Sequence, residues 1–496
     1  MNNVVILPII LPLIAAIIMI IFRKHVMFQR IFSVGAILAM GVVAAFLVNQ
    51  VASSGIQTLH LGGWQPPFGI SMVVDMLSAL LLLTTSVVGL ACLVFAFYSI
   101  GKEREQYYFS PCFLLLLVGV NGSFITGDIF NLFVCFEVML IASYFLITLG
   151  GQRNQLRESV KYVLVNVTSS TLFLVAIAFL YGMTGTVNMA HLSVRVAELG
   201  QGGLMTTIAL LFMIVFSLKA ALFLFFWLPG SYSAPPTAIS AAFAALLSKV
   251  GIYAIFRMFT LIFYHQPEIT HMILAGMAGI TMILGAIGAV AYWDIKKILT
   301  YNVVVGVGFI VAGVATMTEA GLLGSVYYLI HDMIIKALIF LAGGVIISLT
   351  GTAKLREMSG LIHNHPYLGW MFFIAVLSLS GIPPFSGFVG KIFVTRGTFE
   401  ATQYWLGAIG LLTSLMVLYS LMKIFLNGFW GESYLSVEEE KATTRGVMIP
   451  IACLTALTIL LGIGAEALYV YVEQAVGELL TPSLYIEAVF RGYPIP

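Results

Sequence analysis

The chain has 496 residues, of which 60% are apolar and only 9% are charged, and its mean hydropathy is +1.05. Soluble domains carry about 25% charged residues, so these few charges cannot cover a water-facing surface. The apolar runs recur along the whole chain, which excludes a signal peptide as their source. The composition therefore predicts a polytopic integral membrane protein.

Several other classes are excluded by what the sequence lacks. The net charge of +2 gives no basis for nucleic-acid binding. No phosphate-binding or dinucleotide motif is present, and no His/Cys cluster has the spacing of a metal, haem or iron–sulfur site. We therefore expect no cofactor and no bound metal. Four cysteines lie in apolar runs and are interpreted as small core residues: Cys92, Cys112, Cys135 and Cys453.

The apolar runs predict an all-α fold, because open β-structure cannot face lipid and a membrane-spanning helix needs about 20 apolar residues. About fourteen transmembrane helices are predicted, and several exceed 25 residues, which implies tilt or breaks. In chain order they cover about 4–22, 31–49, 72–99, 110–127, 129–149, 160–182, 205–228, 235–263, 272–292, 301–317, 321–350, 368–395, 403–428 and 447–472. The longest loops, 183–204 and 429–446, are expected to form surface helices or hairpins.

The basic residues of the loops predict the orientation of the chain. Fourteen Lys and Arg residues fall in one set of alternating loops, whereas only Arg195, Arg396 and Arg491 fall on the other side. Because cytoplasmic loops carry the excess of Lys and Arg, both termini are expected on the extracytoplasmic side.

A few ionisable residues lie inside the predicted spans and are the informative part of the sequence. A charge at the bilayer centre costs at least about 2.5–3.5 kcal/mol on insertion scales, so each needs a partner, a hydrated cavity or a function. Asp75, Glu137 and His331 belong to this set, and six basic residues join them: Lys219, Lys249, Arg257, Lys336, Lys391 and Lys423.

Glu137 and Lys219 are interpreted as a proton-linked pair. Both are placed near the middle of predicted spans, Lys219 ten residues before Pro229. A nearby ammonium would keep the carboxylate ionised, and the carboxylate would in turn favour the charged lysine. A neutral core Glu and a static ion pair that locks two helices are the structural alternatives.

Lys249 and Lys391 each follow a stretch rich in proline and glycine. Such residues break a helix and expose its backbone polar groups, and broken spans in corresponding halves of a chain point to an inverted repeat with an ion path at the break. A gentle kink is the alternative. The predicted helix breaks contain Pro229, Pro235, Pro236, Pro383 and Pro384.

The eleventh span places His331 and Lys336 five residues apart, where both can reach an interior water file. Histidine titrates near neutral pH, which suits a proton relay, although it can equally be a hydrogen-bonded packing residue. Asp75 is a possible accessory residue, either at the mouth of a path or as a helix brace. Arg257 and Lys423 lie nearer helix ends, where snorkelling accounts for them.

Taken together, these residues resemble a known family. The broken-helix motifs and the ordered set of ionisable residues are similar to the antiporter-like proton-channel subunits of respiratory complex I and of Mrp (Mnh)-type multisubunit Na⁺/H⁺ antiporters, over about residues 70–430. Segments 155–164 and 294–303, and the length of the chain, are similar to the D-type subunits of the Mrp antiporters. The set comprises Glu137, Lys219, Lys249, His331, Lys336 and Lys391.

The resemblance implies a fold and a mechanism. It implies N-terminal helices over 1–109, two inverted five-helix repeats over 110–263 and 272–428, each with one broken helix, and a cytoplasmic loop with a C-terminal helix over 429–496. It also implies that Glu137 pairs with Lys219 and sets its proton affinity, and that Lys249 and His331 relay the proton with Lys336 nearby. Lys391 would exchange it with the opposite side.

The resemblance further implies a secondary ion transporter subunit rather than an enzyme. It would act in cation/proton antiport, in pH and Na⁺ homeostasis, with H⁺ and Na⁺ (or Li⁺) as transported ions. Its partners would be the other Mrp subunits, A, B, C, E, F and G, in a hetero-oligomeric complex of the cell membrane. Two alternatives remain open: a proton-pumping subunit of a redox complex such as NADH:quinone oxidoreductase or a membrane-bound hydrogenase, and a purely structural subunit.

Overall fold

The computed structural model describes residues 2–432 and 440–495, and these residues are mostly helical. The two strands, β1 (Gln57–His60) and β2 (Ser71–Val74), pair in antiparallel orientation. The helices used below are α1 (Leu7–Ile21), α2 (Val26–Ser54), α3 (Met76–Ser99), α4 (Ser110–Ile125), α5 (Ile129–Thr148), α6 (Arg153–Thr184), α7 (Met189–Leu199), α8 (Leu204–Ala220), α9 (Leu228–Ser231), α10 (Thr237–Ile262), α11 (Pro267–Ala291), α12 (Ile295–Thr316), α13 (Glu319–Thr350), α14 (Pro366–Ser380), α15 (Ser386–Glu400), α16 (Tyr404–Gly428), α17 (Met448–Ile463), α18 (Ala465–Leu480) and α19 (Pro482–Val489).

Eleven helices of the described residues are long and apolar enough to span a membrane, or twelve if α17 and α18, which meet at an angle of 77°, form one span. This confirms the all-helical membrane fold, whereas the count of fourteen stays a prediction. Three predicted spans are interrupted in the structure. The segment 205–228 ends as a helix at Ala220, the segment 368–395 is divided into α14 and α15, and the segment 447–472 is divided between α17 and α18.

Polar side chains set the first turns of the helices. At the start of a helix the backbone N–H groups have no partner within the helix, and a short polar side chain can accept from one of them. The caps that form this bond are Asp75 for α3, Asp128 for α5, Asn188 for α7, Asp294 for α12 and Thr318 for α13.

The degree of burial separates central helices from lipid-facing ones. In the most apolar stretch of α10 every residue is buried, and 94% and 89% of the residues are buried in the corresponding stretches of α12 and α13. In α1 and α2 only 33% are buried, and large apolar side chains point outward. Charged residues on α10 and α13 are therefore held inside the protein rather than against lipid.

The first helix break lies directly after Lys219. Helix α8 ends where Ala221 adopts a left-handed φ of 62°, and Phe223 follows with a φ of 58°. Non-glycine residues rarely adopt this conformation because Cβ approaches the following carbonyl. Lys219 therefore occupies the last turn of a half-helix rather than a place within a continuous helix.

The predicted prolines lie at or near the two interruptions. Pro229 belongs to the single turn of α9, and Pro236 is the N-cap of α10, directly after Pro235. Pro383 and Pro384 lie between α14 and α15, where the chain leaves α14 through Gly381 at a φ of 84°. Glycine tolerates this left-handed C-cap without the Cβ penalty.

The ends of the chain lie together on one side of the molecule. The backbone N–H of Asn2 donates to the carbonyl of Thr58 over 3.1 Å, and Asn2 and Arg491 line the same surface cavity. Of the two long loops, 183–204 contains helix α7, as expected for a surface helix. The loop 429–446 is described only in part, because residues 433–439 lie outside the described residues.

Candidate functional site

Glu137 and Lys219 meet through an intervening hydroxyl rather than directly. Ser170, on α6, donates a short hydrogen bond to Glu137 Oε1 and accepts one of 3.2 Å from Lys219 Nζ. The Lys219 ammonium also lies 5.1 Å from the centre of the Phe136 ring, a cation–π arrangement. The predicted pair is thus a three-residue chain, in which Ser170 can pass a proton between amine and carboxylate.

Lys249 and Lys336 share one carboxylate at the centre of the molecule. Asp332 Oδ2 lies 2.7 Å from Lys249 Nζ, and Asp332 Oδ1 lies 3.4 Å from Lys336 Nζ. All three side chains are at most 1% exposed. The ammonium groups also donate to backbone carbonyls, of Ala244 from Lys249 and of Asn302 from Lys336.

His331 is held by a network of hydroxyl groups. Its Nδ1 lies 2.8 Å from the Oγ of Ser386, the first residue of α15, and this hydroxyl lies 2.9 Å from Thr458 Oγ1 on α17. His331 Nε2 is buried and has no hydrogen-bond partner among the described residues. The ring is therefore held in place through Nδ1.

Lys391 lies at the second helix break. Its Nζ donates to the carbonyl of Ser380, at the C-terminal end of α14, and to Ser414 Oγ, both over 2.9 Å. The C-terminal carbonyls of a helix carry partial negative charge, so they stabilise an ammonium. A cavity of about 380 Å³ connects Lys391 to the outer surface between the exposed Leu411 and Leu415.

Asp75 and Arg257 form a separate buried ion pair. Arg257 Nη2 lies 2.5 Å from Asp75 Oδ2, and the guanidinium is buried between the rings of Tyr253 and Tyr485. The expectation that Arg257 snorkels towards the surface is therefore wrong. Of the two interpretations of Asp75, this geometry favours the brace between α3 and α10.

Two residues of the site escaped the sequence interpretation. Asp332 is not among the predicted site residues. It stands four residues before Lys336, and this spacing, which puts both on one face of a helix, is the signal that could have identified it. Ser170 gave no signal, because nothing in the sequence of α6 distinguishes it from neighbouring hydroxyl residues. The sequence predicted the residues that Ser170 and Asp332 contact, but not these two connecting residues themselves.

The clusters form a row of polar groups through an apolar interior. Lys219 packs next to α10 where Ala220 meets Gly251, two residues after Lys249, and Lys336 lies within electrostatic range of Lys391. Buried lysines in contact with carboxylates, hydroxyls and carbonyls are typical of ion pathways inside membrane proteins. Such a row defines the class of the protein: an ion-translocating membrane protein whose titratable groups lie inside the helix bundle.

Comparison with known proteins gives the family. Residues 126–417, more than half of the chain, match the family described as NADH:quinone oxidoreductase/Mrp antiporter, TM. The chain is 49% identical to a D-type Na⁺/H⁺ antiporter subunit of Bacillus subtilis and 48% identical to one of Alkalihalophilus pseudofirmus, over 99% of its own length and 100% of theirs. The chain therefore belongs to this membrane family of NADH:quinone oxidoreductases and Mrp antiporters.

Solved structures show the same fold. A chain of the Mrp complex from Dietzia sp. DQ12-45-1b superposes with a TM-score of 0.92 at 29% identity, with 99% of this chain and 100% of that chain covered. A chain of respiratory complex I from Thermus thermophilus with bound NADH gives 0.81 over 96% of this chain and 100% of that chain, and at 24% identity it supports the fold alone.

Proposed function

We propose that the chain is the proton-translocating, D-type subunit of a multisubunit Na⁺/H⁺ antiporter, and so a secondary transporter subunit rather than an enzyme. The observation that carries the proposal is the buried row from Glu137 to Lys391 in a chain whose full-length relatives are named as such subunits. The same relatives favour antiport over the redox-linked alternative.

In the proposed path the proton moves along the row in steps between neighbouring groups. Glu137 controls the charge of Lys219 through Ser170. Lys249 and Lys336 share Asp332, so only one of the two ammonium groups is neutralised by it. His331 and Lys391 complete the row.

The surroundings of the subunit are also part of the proposal. The Mrp complex superposition supports assembly with partner subunits, which we take to be A, B, C, E, F and G. The excess of basic loop residues supports a cell-membrane topology with both termini outside the cytoplasm. H⁺ and Na⁺ are the proposed transported ions.

The proposed domain division follows the two helix breaks. Residues 1–109 precede the first repeat, 110–263 and 272–428 each contain one break, and 429–496 complete the chain. In support, each break places a lysine near the C-terminal end of a half-helix: Lys219 within α8, and Lys391 against α14.

Replacement of the first cluster tests the function. In everted vesicles that contain the assembled complex, Glu137→Ala and Lys219→Ala are each expected to abolish Na⁺-dependent dissipation of a respiration-generated ΔpH. Glu198→Gln, which alters an exposed pair with Arg195 on α7, serves as the control and is expected to leave the exchange unchanged. Native gels establish that each variant complex assembles.

Unchanged exchange in either of the first two variants would overturn the proposal. A wild-type complex that supports NADH-driven ΔpH formation but no Na⁺-dependent dissipation would favour the redox-linked alternative instead. Loss of assembly in all charge-neutral variants, without any selective loss of transport, would favour a structural subunit.

A further inference from the structure

A polar cavity opens on the side of the molecule that carries the basic loops. We call it the basic vestibule; it has a volume of about 330 Å³ and lies against the N-terminal end of α10. Arg104 and Lys296 contribute its charges, and amide and hydroxyl side chains such as Gln152 and Thr443 contribute most of its remaining polar groups. Among the described residues, no Asp or Glu belongs to its lining.

Lys296 and Lys297 are neighbours in sequence with different surroundings. Lys297 Nζ donates to the carbonyl of Pro229 over 3.3 Å and lines neither the vestibule nor the cavity behind it. Lys296 lines both, and within the described residues it forms no hydrogen bond or ion pair. The carboxylate that acts on its charge is that of Asp294, the N-cap of the same helix. A largely covered amine without a fixed partner is free to bind and release a proton.

Behind the vestibule, polar groups continue towards Lys249. A second cavity of about 20 Å³, room for about one water molecule, is lined by Lys296, Tyr232 and Ser240. The Tyr232 hydroxyl is fully buried, meets no partner at hydrogen-bond geometry among the described residues, and lies beside Ser248. Ser248 Oγ in turn lies 3.4 Å from Lys249 Nζ.

We propose that Lys296 is a proton-loading residue of this subunit, which takes up a proton from the basic vestibule and delivers it to Lys249 by way of Tyr232 and Ser248. The inference rests on the proposed function and adds an entrance to the row. At the mouth, the neutral amine of Lys296 gains an N–H bond. In the delivery, that N–H bond breaks as Tyr232 accepts the proton and passes its own to Ser248. Ser248 in turn passes its proton to Lys249 in its neutral amine form, which gains an N–H bond, so each hydroxyl is left unchanged.

This arrangement also accounts for selectivity at the mouth. An amine binds a proton covalently but offers no site to Na⁺, which prefers oxygen ligands such as carboxylates. Among the described residues that line the vestibule, Lys296 and Arg104 are the charged ones, and both are basic. In this part of the chain a sodium ion therefore meets no carboxylate ligand and no compensating charge.

The test compares four substitutions in the full complex, in everted vesicles, by Na⁺-dependent dissipation of ΔpH. Lys296→Gln is expected to lower the exchange rate at least about tenfold, because a positioned proton-transfer group typically contributes a factor of about 100 or more. Lys296→Arg keeps the charge but cannot release its proton, so the same loss is expected. Lys296→His can exchange a proton near neutral pH and is expected to recover part of the rate. Lys297→Gln is the matched control and is expected to stay within about twofold of wild type.

Two results would overturn the assignment. Lys296→Gln complexes that assemble and exchange at the wild-type rate would show that the residue carries no proton. A wild-type exchange rate in Lys296→Arg together with a low rate in Lys296→His would show that exchange needs only a fixed positive charge at this position. Both results require a wild-type complex that exchanges Na⁺ for H⁺, so a failure of the proposed function is recognised separately by the absence of exchange in the wild type.

Discussion

The substitution Asp332→Asn is the sharpest test of the central cluster. Asp332 is the carboxylate between Lys249 and Lys336, and it is completely buried. The isosteric amide keeps the shape of the side chain but removes its charge. Two amines would then face each other in an apolar interior without a counter-charge.

The expected magnitude follows from the distances. The contacts of 2.7 and 3.4 Å each correspond to an interaction of about 5–6 kcal/mol at an effective dielectric constant of about 20. Removal of one partner of a buried pair typically costs about 3–5 kcal/mol. At about 1.4 kcal/mol per factor of ten, a loss of this size corresponds to a factor of about 100 or more in a rate that depends on the pair.

The assay is Na⁺-dependent ΔpH dissipation in vesicles, normalised to the amount of assembled complex. Asp332→Asn is expected to lower the exchange rate at least about 100-fold. The double variant Asp332→Asn/Lys249→Met removes both members of the closest pair and leaves no uncompensated partner at that contact. It is therefore expected to assemble better than the single variant and to remain inactive.

Exchange near the wild-type rate in Asp332→Asn would refute the reasoning, because the proton row would then not depend on its central carboxylate. An active double variant would refute it more strongly. Loss of assembly in the single variant with recovery of assembly, but not of exchange, in the double variant would separate the two roles of Asp332 as predicted.

Two further predictions concern the neighbours of the row. Ser170→Ala removes the hydroxyl between Glu137 and Lys219 and is expected to slow exchange about tenfold. Ser170→Thr keeps a hydroxyl and is expected to retain most of the rate. Equal exchange rates of Ser170→Ala and wild type in the vesicle assay would contradict a bridging role. Gly306→Ala would place a methyl group 2.7 Å from an oxygen of Asp332 and is expected to impair exchange. Gly276 has open space around it, so Gly276→Ala is the control and is expected to exchange at the wild-type rate. Unchanged exchange in Gly306→Ala would show that Asp332 can move without loss of function.

The sequence predicted the helical membrane fold and the identity of most members of the row because both follow from one-dimensional signals. An apolar run of about 20 residues has essentially one structural solution in lipid, and a charge inside it is conspicuous. The ends of the helices were predicted less well where a left-handed backbone conformation, rather than a change in hydropathy, terminates the helix. Ala221 gives no sign in the sequence that it ends α8 with a left-handed turn.

The connections between the members could not be predicted for a physical reason. Ser170 and Lys219 lie on different helices and are 49 residues apart in sequence. No local pattern specifies which of many serines faces a given lysine. Asp332 is different, because its i,i+4 spacing to Lys336 was visible. Arg257 lies near a helix end, a position typical of snorkelling, and only the three-dimensional fold brings the distant carboxylate of Asp75 to it.

The charge count of the clusters indicates where an extra proton can reside. Glu137 has one amine within reach, Lys219, so that cluster is neutral when both are ionised. Asp332 has two, Lys249 and Lys336, so the central cluster is neutral when one amine is deprotonated and carries +1 when both are charged. In a buried site the neutral state is favoured because desolvation penalises net charge. If the proposed function holds, we therefore expect a proton that arrives at one lysine to promote release from the other, so that protons pass through the central cluster one at a time.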